Sequence, residues 1–216
     1  MVRERACGPA TDPERSAHEA ARRARREVRR YCVANGLNRL GTLTYRGEGC
    51  HDTVQVRLDV ADFIRSLRRL LGGAAFPYVW VPEWHKSGHG LHLHFAVGRY
   101  IKRSLIDEAW GRGFVHIKLL GDLPVGSGKL AEARRAAGYL SKYLGKDLDG
   151  ERPLGGLHRY EVAQGFKPVA VRLWAPTCDA LLVAASERMG AGPRHVWRSS
   201  AVEDWAGPPA VWASWD

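Results

Sequence analysis

The chain has 216 residues, 45% hydrophobic and 26% charged, proportions that exclude global disorder and fit one globular domain with decorated ends. Lys plus Arg number 33 against 23 Asp plus Glu, and the net charge of +10 biases the protein toward polyanions, nucleic acid before an anionic membrane surface. The longest apolar stretch, around Ala180 to Ala185, is far short of the ~20 residues of a spanning helix, so no membrane partner is expected.

No apolar run follows the first charges, which argues against a secretory leader. The four cysteines (Cys7, Cys32, Cys50, Cys178) include no C-x-x-C pair. Their spacing suits neither a zinc ribbon nor a disulfide scaffold and reads as reduced thiols of a cytoplasmic protein, with Cys32 and Cys178 filling core space.

The composition over 13–34 predicts a helix, with Pro13 in the first turn where proline is tolerated. Six arginines between Arg22 and Arg30 cover most of its circumference, as a solvated face or as phosphate contacts. Residues 39–45 read as a strand, and apolar spacings of three and four predict an amphipathic helix over 53–71, ended by Gly72-Gly73. Residues 77–84 and 91–97 are two β-type runs joined by turn formers, hence a hairpin. A short helix over 104–110 capped by Ser104, a strand over 114–120, a loop over 121–128 and a helix over 130–148 follow. Residues 159–162 and 169–174 resemble a second hairpin around Gly165, and 178–189 a closing helix. From Gly190 the composition shifts to Gly, Pro, Ser and Trp, and four of the eight tryptophans lie from Trp197 onward; a packed strap and a flexible arm are both open. This order predicts an α+β fold, a central antiparallel sheet of about five strands with helices on its faces. A basic N-terminal helical arm (1–37) precedes the main domain (38–189), and a Trp/Pro/Gly-rich tail (190–216) follows it.

Two constellations carry chemistry. His92 and His94 flank Leu93, so on a strand both imidazoles face one way and Leu93 the other. Across the hairpin, Glu83 and His85 form a second i, i+2 pair. One carboxylate with two or three imidazoles suits a divalent ion such as manganese, or magnesium with water completing its shell. His89, between glycines at the loop tip, reads as solvated, and His85 near the turn is either a ligand or merely exposed. The second constellation is the helix carrying Tyr139 and Tyr143, four residues apart and therefore on one face, with Lys142 and Lys146 each three residues after a tyrosine. Alone, it reads as an amphipathic helix with core tyrosines and snorkelling lysines. With a metal nearby it reads as a nucleophile site, because a phenol titrates near ~10 and needs cations or a base to act at neutral pH. Metal, tyrosine, lysine and a basic surface together describe phosphodiester transesterification.

The segments PEWHKSGHGLHLHFAV and GYLSKYLGKD, in that order and some forty residues apart, resemble the HUH endonucleases, most closely the two-tyrosine rolling-circle replication initiators of plasmids and small phages. The resemblance runs from about Leu40 to Lys146. It implies an HUH endonuclease-like fold over the main domain, His92, His94, Glu83 and His85 as ligands of Mn²⁺ or Mg²⁺, and Tyr139 and Tyr143 as nucleophiles assisted by Lys142. Residues 41–45 look like the family's first motif, a strand near bound DNA, which with the basic loops implies Thr44, Tyr45, Arg46, Lys86 and Lys146 as DNA contacts. The implied activity is nicking and joining of single-stranded or hairpin origin DNA through a 5′-phosphotyrosine. No G-x-x-x-x-G-K-[ST] loop is present, so strand separation would fall to a separate helicase or a preformed hairpin. A relaxase or single-strand transposase shares this chemistry. A non-cleaving module would instead stack bases on Tyr45, Trp80 and Trp84.

Overall fold

The computed structural model describes residues 12–118, 128–144 and 154–215. It divides into two compact units, Met1–Pro168 and Val169–Asp216. The segments expected from sequence are cut differently: the helix at 178–189 falls in the second unit, and the N-terminal helix contributes to the core of the first.

In the first unit the helices are α1 (Pro13–Ala34), α2 (Thr53–Leu70), α3 (Arg103–Trp110) and α4 (Gly128–Ser141). The strands are β1 (Arg39–Tyr45), β2 (Tyr78–Trp84), β3 (Leu91–Val97), β4 (Gly113–Lys118) and β5 (Glu161–Val162). They form one antiparallel sheet in the order β4-β1-β3-β2-β5. With helices on both faces, this is the α+β, HUH endonuclease-like architecture that the sequence predicts.

Strand alternation sorts the side chains into two cores. Leu43, Leu93, Phe95, Trp80 and Val115 face α2 and α3, where Val56, Val60, Phe63, Leu67 and Trp110 meet them. Gly41 lies opposite Phe95 in the register, and a Cβ there would sit 2.4 Å from the Phe95 ring, so the missing side chain is what lets that ring cross β1. On the other face Leu40, Val79, Val81 and Ala96 pack under α1 and α4. Ala21, Ala24, Val28, Tyr31 and Cys32 form the buried stripe of α1, and the intervening arginines are left on its outer side.

Local chemistry sets the helix ends. The Asp12 side chain accepts from Arg15 N, and Asp52 caps α2 by accepting from Val54 N and Gln55 N. α3 begins at Arg103, one residue before the expected start, with Lys102 at the N-cap and no capping by Ser104. β5 pairs with β2, and 169–174 forms no strand, so the expected second hairpin is absent. Pro168, which lacks an N–H, interrupts the pairing that such a hairpin would need.

The second unit holds α5 (Cys178–Met189), capped by Thr177, and a hairpin of β6 (His195–Arg198) with β7 (Val211–Ser214). The tryptophan-rich tail is therefore a small sheet. Trp197 lies opposite Trp212 and meets Trp205 edge-on at 5.3 Å. No described helix is long and apolar enough to cross a membrane.

Candidate active site

β3 is held on both sides, by β1 and β2. His92 and His94 point to the α1/α4 face, while Leu91, Leu93 and Phe95 fill the opposite core, as the i, i+2 spacing requires. His94 is buried among three elements. Its Nδ1 lies 3.0 Å from Thr42 Oγ1 on β1, and its Nε2 lies 2.7 Å from Glu83 Oε2 on β2. Its ring stacks on Tyr143, with centroids 3.7 Å apart and planes 13° from parallel.

Alanines bring α4 close to the sheet and to α1: Ala133, Ala136 and Ala137 are buried together with Leu140. The end of α4 is tied down, because Arg29 Nε donates to Ser141 Oγ (3.3 Å) and the Ser141 hydroxyl donates to the Ala137 carbonyl (2.6 Å). Beyond Ser141 the chain tightens into a 3₁₀ turn, with Lys142 N–H bonded to the Tyr139 carbonyl at 3.2 Å. Tyr143 sits in this turn and not on the helix itself, yet the two phenols still meet. The Tyr143 hydroxyl donates to Tyr139 Oη at 2.7 Å. Burial raises the Tyr143 phenol above its ordinary pKa, with the hydrogen bond to Tyr139 and the charges of Tyr139 and Glu83 adding to the shift. Two ammonium groups flank the Tyr139 ring, Lys118 Nζ at 5.5 Å and Lys142 Nζ at 5.8 Å from its centroid.

The family model for the replication-associated protein ORF2 matches residues 38–148, just over half of the chain. The chain belongs to this family. The matched interval contains the histidine hairpin and both tyrosines, and membership ties the protein to DNA replication. No curated protein and no solved structure matches the chain.

For this family member the expected metal ligands are neighbours. Glu83 is the register partner of His92 across the β2–β3 pair, and the His85 ring stacks on His92 at 4.2 Å. His92 Nε2 is buried without a hydrogen-bond partner, which is how a ligand nitrogen looks when no cation is bound. Burial, with the imidazoles of His85, His94 and His89 adding to it, lowers the His92 pKa to about 4, so the ring is neutral at pH 7 and its lone pair is available. No group of three or more His, Cys, Asp or Glu side chains among the described residues is arranged as a finished cage. The donor set nevertheless fits a divalent cation, since a neutral imidazole with an open nitrogen lies beside a carboxylate already gathered against a second imidazole. His94 is oriented by Thr42 through its other ring nitrogen, the arrangement expected of a metal-ligating histidine.

Other expected residues lie elsewhere. Tyr45 is buried on the opposite sheet face, its ring edge-on to Trp110 at 4.9 Å and its hydroxyl donating to Asp59, so it is a core residue and not a DNA contact. Trp80 is buried in the same core, which removes two of the three rings from the base-stacking platform of the non-cleaving reading. Thr44 is half-buried one pair further along β1 from Thr42, opposite Phe114. Arg46 is exposed and donates to the Gly111 carbonyl, and Lys86 is exposed in the hairpin loop. His89 is half-buried, not solvated at the tip, with its Nε2 3.0 Å from the Tyr45 carbonyl oxygen. Lys146 lies outside the described residues. Sequence reading missed Lys118. Its signal is the alternation of β4, which places His116 and Lys118 on the face of Thr42 and Leu40, but only once β4 is known to pair with β1.

Proposed function

We propose that this chain is a metal-dependent, site-specific nickase and strand transferase of single-stranded DNA, initiating rolling-circle replication through a 5′-phosphotyrosine. The observation that carries this reading is the stack of His94 on Tyr143, which joins the imidazole–carboxylate cluster to the tyrosine pair across two separate elements. Family membership supports the replication role.

In this reading a tyrosine oxygen attacks the phosphorus of one backbone linkage. An O–P bond forms to the phenol, the P–O3′ bond breaks, and the departing 3′ oxygen takes up a proton to become a free 3′-OH. Reversal reseals the strand. His92, His94, Glu83 and His85 would hold the cation, and bound there it would polarise the phosphoryl group and take up developing charge. Tyr139 is the better first nucleophile. Its oxygen accepts the Tyr143 hydrogen bond, which stabilises a phenolate, and Lys118 and Lys142 supply positive charge beside its ring. Tyr143, stacked on His94, serves the second transfer. Duplex origin DNA would be opened by a separate helicase or presented as a hairpin.

The test is an adduct assay. A single strand of origin sequence, labelled at its 3′ end, becomes covalently attached to the protein with Mn²⁺ or Mg²⁺ and not in EDTA. The Tyr139→Phe/Tyr143→Phe double variant forms no adduct; cleavage by that variant would exclude tyrosine as the nucleophile.

A further inference from the structure

At one end of the sheet, beyond β1, β3 and β4, a cavity of about 120 Å³ opens beside α3. Its floor is apolar, built from Phe95, Ile106 and Ile117. Its rim is cationic: Arg39, Arg99 and Lys118 line it, all three exposed, and no acidic residue does so among the described residues. Tyr100 forms a lip that is 73% exposed, unusual for a large ring beside an apolar opening. Lys118 belongs to two places, because the side chain that lines this cavity also carries the ammonium 5.5 Å from the Tyr139 ring.

We propose that this cavity takes one unstacked nucleobase of the single strand, next to the phosphate that Tyr139 attacks. The proposal rests on the nicking reading and deepens it by adding a base site beside the nucleophile. A water occupies about 30 Å³ of liquid, so the cavity holds roughly four waters or one planar ring system. An apolar floor accepts the flat face of a base, the Tyr100 ring stacks on it from outside, and the arginines and Lys118 meet the phosphates on either side. One lysine side chain spans cavity and nucleophile, the scale of a single nucleotide step. A base held there fixes which linkage lies at the tyrosine. An apolar pocket has few donors and acceptors with which to read a base edge, so the site registers the strand without strongly selecting its sequence.

The test uses the full chain carrying Tyr139→Phe and Tyr143→Phe, which leaves binding measurable without covalent capture. Fluorescence anisotropy compares a labelled oligothymidylate with an abasic strand of equal length and charge. The thymidylate binds about 5- to 150-fold more tightly than the abasic strand, the range for one stacked base. Adding Tyr100→Ala lowers thymidylate affinity to the abasic level, and Tyr100→Phe retains the preference. Because Tyr100 is a surface residue, thermal melts of both variants match the starting chain. Arg99→Ala weakens both strands alike and flattens the log–log salt dependence by about 0.7, the loss of one single-strand phosphate contact. A preference for bases that survives Tyr100→Ala overturns the pocket, as does equal binding of the two strands or no binding of either. Loss of the adduct in the wild-type chain with the base preference intact overturns the nicking reading alone.

Discussion

The imidazole of His94 lies flat against the phenol of Tyr143, 3.7 Å between centroids, while its two nitrogens face Thr42 and Glu83. Aim and spacing of that ring therefore depend on a hydroxyl one strand away. Thr42→Val keeps the shape of the side chain and removes the hydroxyl. Adduct formation is expected to fall about 10- to 100-fold, the usual cost of losing a group that orients a metal ligand, with a matching rise in the Mn²⁺ concentration needed for half-activity. A metal titration of the adduct yield reads this, and an unchanged titration would separate Thr42 from the site.

The two tyrosines are expected to fail differently. Tyr139→Phe removes the oxygen that sits between Lys118, Lys142 and the Tyr143 hydroxyl, and first-turnover cleavage drops below detection. Tyr143→Phe keeps the stack on His94 and deletes one hydrogen bond, a loss on the order of 1 kcal/mol, or roughly tenfold in the first cleavage. Strand transfer, which needs the second hydroxyl, is lost in both. Single-turnover assays with labelled strands separate the steps, and the opposite ranking would assign the first attack to Tyr143.

His92 makes stability depend on pH in the metal-free protein. Burial holds its pKa near 4 in the folded chain, against an ordinary value of 6.5. The unfolded chain takes up a proton near 6.5 that the folded chain refuses until about 4. This contribution is complete above pH 6.5 and is lost as the pH falls from 6.5 toward 4. Urea midpoints in EDTA should fall across that window and fall less in His92→Gln. Equal slopes for the two proteins would remove His92 as the source.

Arg112 anchors the start of β4 to α2. Its guanidinium meets the buried Asp59 at 2.7 Å and Asp62 at 3.1 Å, and Asp59 also accepts from Tyr45 and Gln55. Arg112→Ala leaves a buried carboxylate without its cation, at a cost of about 3 kcal/mol. Arg112→Lys recovers part of this, since an ammonium cannot bridge two carboxylates with the same planar fork. Chemical denaturation measures both. A loss within a few tenths of a kcal/mol for the alanine variant would show the pair to be solvated.

Local periodicity carried most of the elements. β3 and α5 occupy the residues their patterns mark, because alternation and the Thr177 and Gly190 ends are local signals. The site was legible as far as its chemistry is local, in the His92/His94 pair and the tyrosine spacing. Register was not. Glu83 stands opposite His92 but bonds to His94, a diagonal contact that no spacing reveals. Tyr45 shares strand parity with buried Leu43, so β1 alternation already pointed it inward, against its assignment from a motif at the DNA. Lys118 was invisible because the pairing of β4 with β1 joins segments far apart in the chain.

β3 is the middle rung of five, and its amides are sheltered by partners on both flanks. The backbone at His94 should exchange hydrogen for deuterium only when the whole sheet opens, whereas Tyr143, past the last full turn of its helix, is carried by a segment with far fewer rungs to break. The protein thus pairs an anvil with a hinged hammer: a phenol that has captured a strand end can swing away while the face that receives the next linkage keeps its shape.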